Sequence, residues 1–179
     1  MRGVLVGEEA IKALGGLIDD SILVFLGNRL RGDDAAGLLV GELLLASCAT
    51  RRAIVCESQL ELCLSELSGR LEKARRLIII DAIEAGLEAG QIALAPLDEF
   101  SSSIDFSSSH GISMRLLSRV LKWRYGVEEA WVLGVQASEL GAVRLEISSE
   151  VREGCEVLAE ALLSSLPECR LGRGLGAFD

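Results

Sequence analysis

Residues 76–81, Arg-Leu-Ile-Ile-Ile-Asp, set four aliphatic side chains in a row between two charged ones. A strand built from them has no polar face to turn toward water, so it belongs inside a sheet covered on both sides. Residues 21–26, Ser-Ile-Leu-Val-Phe-Leu, have the same character, and 53–57 and 129–136 supply two more strands. Between these runs the apolar spacing turns helical. Ile11, Leu14, Leu17 and Ile18 share one side of residues 8–18, residues 35–47 are nearly all apolar, and Leu60, Leu64 and Leu67 mark 59–70. Leu116, Leu117, Val120 and Leu121 mark 113–125, whose other face carries Arg115, Arg119, Lys122 and Arg124 as a solvated surface or a docking face. A last helix, capped by Ser149 and ended by Pro167, turns Val151, Cys155, Leu158 and Leu162 inward. Strands alternating with helices read as an α/β protein with a mostly parallel sheet.

The link from Asp81 to the next apolar run, Gln91-Ile-Ala-Leu-Ala95, is short and rich in glycine. A parallel crossover needs roughly a dozen residues, usually a helix, so strand 91–95 is expected to run antiparallel to strand 76–81. A Ser-rich loop over 96–112 follows; structureless loops of that length are uncommon in compact domains and are often functional. It is long enough to return to the end of the sheet where Asp81 lies.

The chain of 179 residues reads as one α/β domain, with residues 1–20 as an N-terminal helical extension and 168–179 as a loose tail. A formal charge of −9 argues against nucleic acid, which needs concentrated Lys and Arg. A metal ion or a cationic peptide suits it better. Cys48, Cys56, Cys63, Cys155 and Cys169 are odd in number and lack a C-x-x-C spacing, which reads as buried thiols in a reducing compartment. Glu8, Glu9 and Lys12 interrupt the N-terminus where a signal peptide needs an apolar core. The longest apolar stretch, 35–49, holds Glu42 and is too short to span a bilayer, so a soluble, cytoplasmic protein with no membrane insertion is expected.

The chemistry concentrates after the first long strand. Gly27-Asn28 breaks it, and Asp33-Asp34 precede the helical run from Ala35. One Asp there is accounted for as a helix cap or a partner of the helix dipole. Two exceed what one cap requires. If strands 21, 53, 76 and 130 are parallel, their carboxyl ends share the rim where open α/β sheets bind ligands. Asp34 follows the first strand, Asp81 ends the third, Gln136 ends the last, and the Ser-rich loop carries His110, the single histidine. Asp81 as a turn cap and His110 as a polar loop residue are the ordinary readings. Converging from three segments, Asp34, Asp81 and His110 would form a divalent-metal site with open positions. Residues 27–32 lack both the G-x-G-x-x-G spacing and a Walker lysine, and acids at the helix start repel phosphate, which weakens a nucleotide-binding reading. Neither Cys56 nor Cys63 has a compelling partner for nucleophilic proteolysis.

Gly27-Asn28-x-x-x-x-Asp33-Asp34-x-x-Gly37, Ile80-Asp81-Ala82, Ser108-Ser109-His110 and Gly134-Val135-Gln136, in this order, resemble the [NiFe]-hydrogenase maturation endopeptidases. Ile147-Ser-Ser-Glu-Val151 is similar to that family's start of the final helix. The resemblance implies a three-layer α/β/α sandwich with a five-stranded, mostly parallel sheet and one antiparallel strand. It implies an endopeptidase that removes the C-terminal extension of a hydrogenase large-subunit precursor after nickel insertion. The nickel is supplied by the precursor, with no organic cofactor. Asp34, Asp81 and His110 match the family's metal ligands, Asp33 or Asp34 would be the general base, and Asn28 and Gln136 would contact substrate. The alternative is a non-catalytic metal-binding chaperone of the same fold. The chain departs from the pattern at Cys56-Glu57-Ser58-Gln59, which lacks the usual Gly-Thr pair, and in residues 1–20 ahead of the first strand.

Overall fold

The computed structural model of the chain describes residues 3–57, 63, 74–100, 105–106, 114–141 and 143–173. The sheet holds β1 (Leu5–Val6), β2 (Ser21–Leu26), β3 (Ala53–Cys56), β4 (Arg76–Glu84), β5 (Ile92–Pro96), β6 (Asp105–Phe106) and β7 (Glu129–Gln136). The helices are α1 (Glu8–Leu17), α2 (Ala36–Ser47), α3 (Leu97–Phe100), α4 (Met114–Tyr125), α5 (Ser149–Ser165) and α6 (Pro167–Arg173). Single 3-10 turns, Ile18–Asp20 and Gly32–Ala35, introduce β2 and α2. The strand order is β1-β5-β7-β4-β2-β3, with β6 added beside β4. β3, β2, β4 and β7 are mutually parallel, and β5 is antiparallel. These are the five strands legible in the sequence; β1 and β6 add two residues each.

The continuous aliphatic runs divide between two cores. On β2, Leu23 and Phe25 join Ile78 and Ile80 of β4 on the face covered by α1, α2 and α5, where Leu14, Val40, Leu44, Val151, Leu158 and Leu162 are buried. Ile22, Val24 and Leu26 join Leu77 and Ile79 on the other face, beneath Leu117 and Leu121 of α4. The sheet is the middle of three layers. Burial of both faces explains why neither run alternates with polar residues.

As expected, β5 runs antiparallel to β4; β7 lies between them, with Ile92 paired to Val135 and Ala95 to Val132. A short link reveals a reversal of direction, not which strand fills the gap. Other expectations need correction. The 96–112 segment is not structureless, since α3 occupies its start and β6 pairs Phe106 with Ile83. β4 continues to Glu84, so Asp81 lies within the strand rather than at its end. Helix α5 has Ser148, not Ser149, at its N-cap. Within the tail expected to be loose, Pro167–Arg173 form α6, held to the body by a Cys48–Cys169 disulfide and a 2.7 Å hydrogen bond from the Thr50 hydroxyl to Glu168, while 174–179 lie outside the described residues.

That disulfide and a second, Cys56–Cys63, overturn the reading of all five cysteines as free thiols; Cys155 alone is free and buried. Their count no longer speaks for a reducing compartment, because pairing is decided in space and not by spacing along the chain. The helix expected over 59–70 lies outside the described residues, apart from Cys63. Among the described residues no helix is long and apolar enough to cross a membrane.

Candidate active site

β2 stops at Leu26 while β4 runs three residues beyond Asp81, which leaves a step in the sheet at its carboxyl rim. Helix α2 enters at this step. Gly37, in its first turn, lies so close that a Cβ there would meet the carbonyl oxygens of Leu26 at 2.3 Å and Ile80 at 2.4 Å. Only glycine permits that approach, and it brings the Gly32–Ala35 turn beside Asp81.

Asp34 and Asp81 come together here, 2% and 3% exposed. Asp34 Oδ1 accepts the Gly141 N–H at 3.1 Å, and Asp81 Oδ1 accepts the N–H of its neighbour Ala82 at 2.8 Å. Among the described residues the second oxygen of each carboxylate receives no hydrogen bond, leaving two oxygen donors for a cation. Burial pushes Asp81 up to about 8; the Ala82 N–H pulls it down and the neighbouring Asp34 charge raises it further. Ionising the buried Asp81 beside the Asp34 charge is costly, and a divalent cation there would relieve that cost directly.

Asp33 faces elsewhere. It is fully buried, and it accepts N–H groups from Ser138 at 3.0 Å, Glu139 at 3.3 Å and Ser148 at 2.8 Å. The Ser148 hydroxyl lies 3.0 Å from both its oxygens, and Arg144 Nη2 is 3.1 Å from Oδ2. Burial alone would raise its carboxyl, yet the Ser148 N–H and hydroxyl, with the N–H groups of Ser138 and Glu139, hold it below its ordinary value. The loop from Ser138 to Ser148 is thus tied to the Asp33-Asp34 turn. Gly32 completes the attachment. Its N–H donates to the Arg144 carbonyl at 2.6 Å, and its positive φ and bare Cα make room for the Arg144 side chain lying over it. This loop is the part of the site missed from the sequence, where Ser148 reads only as a residue at the start of α5; its side chain turns to Asp33 instead of capping the helix.

The amides of Asn28 and Gln136 are engaged within the protein. Asn28 Oδ1 accepts the Leu30 N–H at 2.9 Å and its own N–H donates to the Asp34 carbonyl at 3.0 Å, closing the loop after β2. Gln136 is buried; its Oε1 accepts from Ala85 at 2.8 Å and Leu87 at 3.3 Å, and its Nε2 donates to Glu84 and the Ala137 carbonyl. His110 lies outside the described residues. Among the described residues no group of three or more His, Cys, Asp or Glu side chains gathers as a metal site.

Comparison with known proteins points one way. The family model for HycI, hydrogenase maturation protease, matches residues 64–165. The crystal structure of a [NiFe] hydrogenase maturation protease HycI from Thermococcus kodakarensis superimposes with a TM-score of 0.72 at 28% identity, covering 86% of this chain and 98% of that one. The solution structure of an endopeptidase HycI from Escherichia coli gives 0.65 at 25% identity, covering 78% and 86%. The hydrogenase maturating endopeptidase HybD from Escherichia coli, at 18% identity, 0.59 and coverage of 83% and 92%, shares the fold. No curated protein sequence matches.

Proposed function

The chain belongs to the hydrogenase maturation protease family, and from that premise we propose that it removes the C-terminal extension of a [NiFe]-hydrogenase large-subunit precursor once nickel has been inserted. The observation that carries this reading is the pair of buried acids, Asp34 and Asp81, at the step in the sheet, each with one oxygen free of hydrogen bonds from the described residues. An O-donor site with no thiolate of its own suits a metal that arrives already held by its carrier.

In this reading Asp34, Asp81 and His110 grip the nickel of the precursor and so align the peptide bond to be cut. For His110 the support is the course of the chain. Phe106 pairs with Ile83, two residues beyond Asp81, and the four residues from Phe106 to His110 reach about 14 Å at most. The metal, part of the substrate, supplies Lewis acidity. Asp34, rather than Asp33, is the acid with an oxygen available to take a proton from water. Asn28 and Gln136 act by shaping the two walls of the site, through the loop after β2 and the turn after β4.

The test is incubation with nickel-loaded precursor followed by mass spectrometry. The expected result is loss of the extension from the nickel-loaded form and none from the metal-free form. A precursor bound but never shortened would replace this reading with that of a non-catalytic assembly chaperone.

A further inference from the structure

We propose that Asp33 is a positioning residue: it clamps both ends of the 138–148 loop and thereby holds the Gly141 N–H on Asp34 Oδ1, fixing how Asp34 presents its other oxygen. Ser138 and Glu139 at the start of the loop and Ser148 at its end all donate to this one carboxylate. Gly141, between those anchors, donates to Asp34. Among the described residues the loop meets the neighbouring acid through the Gly141 N–H, and the clamp decides where that N–H is.

The geometry also excludes other work for Asp33. A carboxylate offers about four lone-pair positions. Here three backbone N–H groups, a hydroxyl 3.0 Å from both oxygens and a guanidinium at 3.1 Å crowd them, with the side chain shut away from solvent. These contacts take up the carboxylate's lone-pair positions, so Asp33 is not poised to take a proton from water. Among the described residues every group that meets Asp33 is a donor, so an amide in its place would turn its NH2 against N–H groups and lose half the clamp. Shape alone does not substitute for the charge. Arg144 completes the bracket from outside, its carbonyl on the Gly32 N–H and its side chain across Gly32.

The consequence for Asp34 as a ligand rests on the functional reading above; the clamp itself does not. The experiment therefore has three arms on the full chain: amide hydrogen exchange at Gly141, titration with cadmium ion, and kcat and KM on nickel-loaded precursor. The variants are D33N and, as a milder change that keeps the carboxylate should D33N fail to fold, S148A. V157S, on an exposed part of α5, is the control. For D33N the expected result is exchange at Gly141 about tenfold faster or more, cadmium affinity weakened about 10–100-fold, and kcat lowered by a similar factor with KM within about threefold. S148A falls between D33N and wild type, and V157S matches wild type in every arm. Wild-type exchange at Gly141 in D33N, or undiminished cadmium affinity beside fast exchange, overturns the proposal. If the wild-type protein shortens no precursor, the functional reading fails, while the exchange and cadmium arms still decide the clamp.

Discussion

Asp33 and Ser148, 115 positions apart, meet through a 2.8 Å hydrogen bond from the Ser148 N–H and a hydroxyl 3.0 Å from each carboxylate oxygen. Asp34, the next residue, turns toward Asp81 instead. Successive residues in a 3-10 turn point about 120° apart, so two adjacent acids of this turn meet two different parts of the molecule. One holds a loop and the other lies beside the acid of β4.

Removal of either acid at the sheet step, or of the histidine, should stop processing without unfolding the chain. D34N keeps an oxygen for the Gly141 N–H, D81N keeps one for Ala82, and H110A alters one side chain. Each is expected to fall below about 1% of the wild-type rate on nickel-loaded precursor, with circular dichroism unchanged. A triple variant that still shortens the precursor would reject the assignment.

The pH dependence of the metal-free protein follows from Asp81, raised from 3.8 to about 8 by burial and by Asp34. Below about pH 4 the carboxyl is neutral in both the folded and unfolded chain and carries no penalty. As pH climbs from about 4 to 8 the unfolded chain releases a proton that the folded one retains, so stability is lost across that window. D81N has no such proton. It should match wild type near pH 4 and exceed it by about 2–4 kcal/mol near pH 8, as read by denaturant unfolding at the two pH values. An advantage that does not grow with pH would count against a neutral Asp81.

Gly37 permits the contact that sets Asp34 beside Asp81. In G37A the new methyl meets the Leu26 and Ile80 carbonyls at 2.3 and 2.4 Å, both of them backbone atoms. Overpacking of this kind costs about 1–3 kcal/mol. The variant should unfold at lower denaturant and bind cadmium more weakly, because α2 must move away from the step. Unchanged stability would mean that the helix has room to shift freely.

The Cys48–Cys169 bridge closes a span of 121 residues. Cross-linking a loop that long restricts the unfolded chain and is worth about 2–5 kcal/mol. C48S/C169S should lose stability within that range and release α6 first, seen as early hydrogen exchange over residues 167–173. Equal stability of the paired and unpaired proteins would show that the bridge adds nothing to the packing of Leu166 and its neighbours.

The long strands and most helices were legible because burial on both faces leaves a mark in the letters: Ser21–Leu26 and Arg76–Ile80 could not have faced water. The reversal at β5 was legible too, from a link too short to cross back. Its neighbour was not, because β7 arrives from far along the chain and nothing local announces it. Asp81 marked the rim correctly, although its strand continues; Ala82 and Ile83 extend the apolar run past a charge that reads as a stop. Asp33 and Asp34 look alike in sequence, and only the loop from Ser138 to Ser148, silent in spacing and composition, tells them apart. The cysteine pairs were illegible for the same reason, since each joins elements whose proximity is created by the fold.

β1 pairs Leu5 with Leu94 and Val6 with Ala93, and Gly7 donates its N–H to the Ile92 carbonyl at 2.8 Å. Those few residues occupy the outer border of β5. Without residues 1–7 that border becomes a bare row of amides and carbonyls over a hydrophobic strand, a template for pairing between molecules. The truncated chain should dimerise or precipitate in sedimentation runs where the full chain stays dispersed. On this expectation, two residues of strand at the margin of the sheet keep copies of the protein from sticking to one another.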